Sequence, residues 1–189
     1  MSPQNKLIII TAPSGAGKTS ITHDLLKKIP QLGFSISAAT RKPRADEKDK
    51  VDYYFISQQE FQKKIERDEF VEWEMVYEGK YYGTLKSELH RIWDLKKIPL
   101  LDIDVKGAIH VQKQYPKNSL SIFIEPPSVD ELKKRLESRG TETNESLLAR
   151  INKASFEISF KNSFNKMIVN DQFDRACFEA EKVVRDFIR

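Results

Sequence analysis

Leu7-Ile8-Ile9-Ile10-Thr11-Ala12-Pro13-Ser14-Gly15-Ala16-Gly17-Lys18-Thr19 is the stretch that decides the fold. The continuous apolar, β-branched run over Lys6 to Thr11 predicts a strand buried on both faces. Ala12 to Thr19 then forms a loop of small residues. A helix opens at about Lys18, with Ile21, Leu25 and Ile29 on one stripe, until Pro30 stops it. Small residues in that position let backbone N–H groups wrap closely around phosphate oxygens, and the helix N-terminus adds its partial positive charge. In such a loop Lys18 reaches the β- and γ-phosphates of a nucleotide and the Thr19 hydroxyl is placed to ligate Mg²⁺. The usual pattern begins with glycine where this chain has Ala12, which is tolerated if the local φ is negative.

Outward from this loop, strands and helices alternate. Strands are expected at Phe34 to Ala38, Tyr53 to Ile56, Phe70 to Tyr82 around a Glu78-Gly79 turn, Pro99 to Asp104, Ser121 to Ile124 and Lys166 to Val169. Ser57 with Glu60 and Ser128 with Glu131 have capping-box spacing and open helices. Further helices are expected over Leu85 to Lys97, up to about Tyr115, over Glu145 to Ser159 and over Gln172 to Ile188. Thr40 to Asp52 is charged and without apolar period, and reads as an exposed or functional loop. The alternation predicts an α/β fold, a largely parallel sheet flanked by helices, with ligands at the carboxyl ends of its strands.

The chain has 189 residues, which fits a single domain. Its net charge of +4, from 32 basic and 28 acidic residues, suits an anionic ligand but does not argue for duplex nucleic acid. Cys177 stands alone, so no internal disulfide is available. The run Leu7 to Ile10 is too short for a signal-peptide core or a membrane span, and a cytoplasmic protein is expected. Nothing in the sequence decides between a monomer and a homo-oligomer.

An enzyme built on such a loop needs an acid at the end of a neighbouring strand to hold or orient hydrated Mg²⁺. The run Ile98-Pro99-Leu100-Leu101 ends in Asp102-Ile103-Asp104, and a spacing of two puts both carboxylates on one face of the strand. Spacing does not choose between Asp102 and Asp104.

Ser35-Ile36-Ser37-Ala38-Ala39-Thr40-Arg41-Lys42-Pro43-Arg44, with Phe70-Val71-Glu72-Trp73, Tyr81-Tyr82-Gly83-Thr84, Leu101 to Gly107 and Ile168-Val169-Asn170-Asp171, resembles the guanylate kinase family in the same block order. The similarity runs from about residue 6 to the C-terminus. It implies a P-loop NTPase-type core over about 1–34, 98–125 and 161–189, a small mixed α/β GMP-binding region over about 35–84, and a helical lid over about 126–160. The implied reaction is transfer of the γ-phosphoryl of ATP to GMP, and to dGMP as well, with Mg²⁺ as cofactor. Arg41 and Arg44 would bind the GMP phosphate with Tyr53 and Tyr82, since two guanidinium forks suit a dianion. Glu72, with Ser37 and Thr84, would read guanine: a carboxylate accepts from N1–H and the exocyclic amine, whereas adenine offers N1 as an acceptor. By the same resemblance Asp102 belongs to the GMP site and, with Thr19, to the metal, partly through water. Arg135, Arg139 and Arg150 would close over the transferring phosphoryl group, and Asn170 would contact adenine.

The alternatives are another monophosphate kinase on the same scaffold and a non-catalytic guanylate-kinase-like module. The first should lack the set Glu72, Ser37 and Thr84, and the second typically loses phosphate-loop or lid residues. A GTPase is disfavoured because no Asn-Lys-x-Asp base-reading motif is present.

Overall fold

The computed structural model describes residues 6–44, 47–138 and 144–189. In chain order the elements are β1 (Leu7–Thr11), α1 (Lys18–Lys28), β2 (Leu32–Phe34), β3 (Ser37–Ala39), β4 (Tyr53–Phe55), α2 (Gln58–Glu66), β5 (Phe70–Tyr77) and β6 (Lys80–Leu85). They continue as α3 (Lys86–Asp94), β7 (Ile98–Asp102), α4 (Val105–Gln114), β8 (Ser119–Glu125), α5 (Val129–Glu137), α6 (Asn144–Ile158), β9 (Lys166–Val169) and α7 (Phe173–Ile188).

β1 is buried along its whole length because it sits in the middle of a five-stranded sheet of order β2-β7-β1-β8-β9. Every pairing in that sheet is parallel, with Ile8 opposite both Leu100 and Leu120. Alternate side chains feed two cores. Ile8 and Ile10 pack with α1 and α7 residues such as Ile21, Leu25, Ala180 and Val184. Leu7 and Ile9 pack on the other face with Leu89 of α3 and Val105 and Val111 of α4. A strand in that position has no polar face to offer, hence its unbroken apolar run. Among the described residues no helix is long and apolar enough to cross a membrane.

A second, four-stranded sheet of order β4-β3-β6-β5 is mixed: β3 runs parallel to β4 and antiparallel to β6, and β5 pairs antiparallel with β6. Phe61, Phe70 and Leu85 form its own small core, with the Phe61 and Phe70 rings 4.3 Å apart. β5 carries register irregularities between Phe70 and Glu72 and between Met75 and Tyr77.

Three sequence expectations need correction. The strand expected over Phe34 to Ala38 is two strands in two sheets. At Ser35 the chain still donates to Leu100 O (3.0 Å), whereas Ile36 N donates to Glu88 Oε1 (3.0 Å) and the backbone departs for the second sheet. The helix expected over Leu85 to Lys97 ends at Asp94, beyond which Lys96 takes a positive φ of 58°. Asp102 and Asp104 do not share a strand face. β7 stops at Asp102, and Asp104 caps α4, its Oδ1 accepting from Gly107 N at 2.8 Å. The capping serines behave as read: Ser57 accepts from Glu60 N and Ser128 from Glu131 N.

The junction of the two sheets is held by Glu88, only 2% exposed. Its carboxylate accepts from Ile36 N, from Tyr54 Oη (2.9 Å) and from Arg91 (2.6 and 2.9 Å), joining α3, β4 and the β2–β3 crossover.

Candidate active site

The phosphate loop bridges β1 and α1. Gly15 and Gly17 take φ of 92° and 97°, a region that favours glycine, and Ala16 N donates to Pro13 O at 3.1 Å. Gly17 also has no room for a side chain, since a Cβ there would lie 2.3 Å from Asn170 Nδ2. Ala12 is buried and is not among the residues with positive φ, so the missing first glycine carries no strain.

Lys18 forms an ion pair with Asp102 Oδ1, and Thr19 Oγ1 donates to Asp102 Oδ2 at 3.1 Å. Burial alone would lower the Lys18 pKa, but the neighbouring Asp102 more than offsets it, so the ammonium stays charged. The parallel pairing of Ile10 with Asp102 in adjacent strands is what delivers the acid to the mouth of the loop. A carboxylate and a hydroxyl side by side form a hard oxygen donor set that suits hydrated Mg²⁺.

Facing the loop across a cleft of about 310 Å³ are Ser37, Arg44, Tyr53, Glu72 and Tyr82, contributed by the second sheet and the loop after β3. Asp104 and, from α6, Arg150, Lys153 and Glu157 line the same space. Glu72 is 5% exposed and accepts from Thr84 Oγ1 at 2.7 Å. Thr84, itself fully buried, therefore reaches the carboxylate of Glu72 from behind. Burial pushes the Glu72 carboxyl up to about 7, with the negative charge of Asp104 acting in the same direction. Gly107 makes room for this pair, for a Cβ there would lie 2.4 Å from Glu72 Oε2.

Arg41 stands behind the wall rather than in it. Its Nε donates to Tyr82 Oη (3.0 Å), and its guanidinium lies 4.9 Å from the Tyr53 ring centroid and 5.5 Å from that of Phe55. Asn170, 5% exposed, donates from Nδ2 to Ala16 O at 2.7 Å, while its main-chain carbonyl accepts from Arg135 Nη2 at 3.1 Å. Arg135 is also 3.5 Å from Glu131, and Arg150 donates to Ser14 Oγ at 3.3 Å. Arg139 lies outside the described residues.

Sequence reasoning missed Glu47 and Glu88, which hold Arg41 and the sheet junction respectively. An acid six residues beyond Arg41 was the only signal for Glu47. Glu88 stands three residues after Leu85 and four before Ile92, on the apolar face of α3, and that spacing is its signal in the sequence. Among the described residues no group of three or more His, Cys, Asp or Glu is arranged to hold a metal by itself.

A phosphate loop with its strand-end acid, opposed across one cleft by an arginine- and tyrosine-bearing wall, defines a P-loop kinase that phosphorylates a small acceptor. The guanylate kinase profile matches residues 4–187. A guanylate kinase of Bacteroides fragilis is 44% identical over 97% of this chain and 90% of its own, and one of Chlorobium chlorochromatii is 45% identical over 100% and 98%. The crystal structure of guanylate kinase from Anaplasma phagocytophilum superposes with a TM-score of 0.78 at 28% identity, over 96% of this chain and 85% of that one. A shikimate kinase from Bacteroides thetaiotaomicron, at 12% identity and TM-score 0.53, shares the fold. The chain belongs to the guanylate kinase family.

Proposed function

We propose that this chain transfers the γ-phosphoryl of ATP to GMP, giving ADP and GDP, and takes dGMP as well. The observation that carries the reading is one cleft with Lys18, Thr19 and Asp102 at one end and a buried Glu72 carboxylate at the other. An ionised carboxylate that accepts from guanine N1–H and its amine leaves a buried acid unpaired when adenine enters, so the penalty falls on the wrong base.

The residues divide the work. Backbone N–H groups of Ala12 to Thr19 wrap the donor phosphates, and Lys18 neutralises charge on the β- and γ-groups as the in-line transfer proceeds. Thr19 and Asp102 would hold Mg²⁺, partly through water, and Lys18 shifts from Asp102 to the phosphates when they arrive. When bound, the ion would supply charge neutralisation for the phosphoryl group in transfer. Arg41, Arg44, Tyr53 and Tyr82 bind the acceptor phosphate, and Ser37 lies beside the guanine. Thr84 aims the Glu72 carboxylate through its 2.7 Å hydrogen bond. Arg135, Arg139 and Arg150 belong to a lid that brings cations to the equatorial oxygens and excludes water. Asn170 grips the loop through Ala16 and leaves its Oδ1 as the acceptor for the adenine amine. The core would comprise about 1–34, 98–125 and 161–189, the GMP region about 35–84 and the lid about 126–160. A cytoplasmic location follows from the substrates, both drawn from the cytoplasmic nucleotide pool.

The test is ADP formation with ATP and Mg²⁺ against GMP, dGMP, AMP, CMP, UMP and dTMP. Turnover confined to GMP and dGMP is expected. Preferential turnover of another monophosphate would overturn the guanine reading and leave the phosphate loop in place.

A further inference from the structure

Arg41 offers five N–H groups, and the structure accounts for most of them. Nη1 donates to Glu47 Oε2 (2.5 Å) and to Lys42 O (3.1 Å), Nη2 donates to Glu47 Oε1 (2.7 Å), and Nε donates to Tyr82 Oη (3.0 Å). Glu47 thus occupies the whole end fork of the guanidinium. The same carboxylate accepts from Arg44 N at 2.9 Å, so it ties both arginines of the loop into one turn. The Arg41 and Glu47 side chains are only 11% and 18% exposed, so water competes weakly for this pair. A guanidinium has a second, side fork made by Nε–H and the remaining Nη2–H. With the end fork committed, that side edge is turned toward Tyr82, a residue of the cleft wall.

We propose that Glu47 is a positioning residue for the acceptor phosphate, holding Arg41 by its end fork so that the remaining Nη2–H, together with the Tyr82 hydroxyl steadied by Arg41 Nε–H, meets the phosphate. The inference rests on the GMP-kinase reading above. Glu47 itself does not touch substrate. It supplies the counter-charge that lets a guanidinium sit among the Tyr53, Phe55 and Tyr82 rings without a bound anion, and it fixes the distance from Arg41 to the Arg44 backbone. The opposing possibility is that Glu47 imitates the phosphate and leaves when GMP arrives. The two make opposite predictions, because a placeholder competes with substrate and a positioner assists it.

The experiment compares the parent chain with Glu47→Gln, Glu47→Asp, Arg41→Lys and the Arg41→Lys/Glu47→Gln pair. It measures GMP binding by calorimetry, KM for GMP and for ATP, and thermal unfolding to check the fold. Loss of one charge-assisted fork should raise Kd and KM for GMP roughly 10- to 100-fold in Glu47→Gln, with KM for ATP within about twofold of the parent. Glu47→Asp should recover part of the loss. Glu47→Gln should add little on top of Arg41→Lys, since lysine has no fork to hold. Unchanged or tighter GMP binding in Glu47→Gln overturns the proposal, tighter binding identifying the placeholder. Parallel loss of ATP and GMP affinity, or full additivity with Arg41→Lys, also overturns it. A parent chain that binds no GMP would instead sink the GMP-kinase reading itself.

Discussion

Glu72 shows how one side chain couples burial to selectivity. Guanine recognition needs its carboxylate ionised, yet burial pushes that carboxyl up to about 7 from an ordinary 4.5. GMP affinity should therefore gain a component that rises as pH climbs through about 7, and Glu72→Gln should lose that component while keeping whatever comes from the phosphate. The sign for stability is opposite. An acid whose folded pKa is raised favours the folded state most at pH below 4.5, and that contribution is lost as pH rises toward 7. Glu72→Gln should also raise KM for GMP about 10- to 100-fold and erode discrimination against AMP, read in the monophosphate panel. Lys18→Ala should lower kcat about 100-fold or more with the fold intact, because charge neutralisation at the transferring group is lost. The Gly-x-Gly-Lys-Thr loop was legible in sequence because its chemistry is local. A two-residue strand period puts Glu74 on the same face as Glu72, so in the sequence only family resemblance distinguishes the two. The structure shows why a distinction exists: Glu72 is buried against Thr84 and the Gly107 backbone, both far away in the chain.

At the scale of elements, most helices and strands were legible from their apolar stripes and caps. The split of Phe34 to Ala38 was not, because it is decided by two distant acceptors, the carbonyl of Leu100 and the carboxylate of Glu88. Asp104 was misplaced for a similar reason: apolar runs do not announce whether the next acid extends a strand or caps a helix. Glu88 is the fastening between the sheets, and Glu88→Ala should destabilise the protein by about 2–4 kcal/mol, since it orphans Ile36 N and the Tyr54 hydroxyl. The expected readout is a Tm lower by roughly 5–10 °C. Burial acts to raise the Glu88 pKa, but hydrogen bonds from Arg91, Ile36 N and Tyr54 outweigh it and hold the carboxyl below its ordinary value. Its contribution is therefore present at neutral pH and lost in acid, so the parent and Glu88→Ala should converge in stability as pH falls through the folded pKa.

Taken as a whole, the molecule sets a parallel sheet with a donor-phosphate loop against a mixed sheet that carries the acceptor wall. Removing divalent cations with a chelator should abolish ADP formation and leave the thermal unfolding curve unchanged. Lys18 already pairs with Asp102, so this carboxylate does not depend on a metal for its counter-charge. The alternation of strands and helices made the overall architecture legible, while the cleft between two sheets is a product of tertiary packing that no local pattern contains.

The central place of β1 has a consequence for how the chain is made. Ile8 is synthesised before its partners Leu100 and Leu120, and at about 5–20 residues per second the ribosome needs roughly 5–20 s to deliver the first of them. Throughout that interval the five-residue apolar strand Leu7–Thr11 is exposed with both edges unpaired. Nascent chains stalled before Leu100 should therefore be captured by holdase chaperones and should aggregate when released, whereas chains stalled well beyond Val169 should resist protease as the finished sheet does.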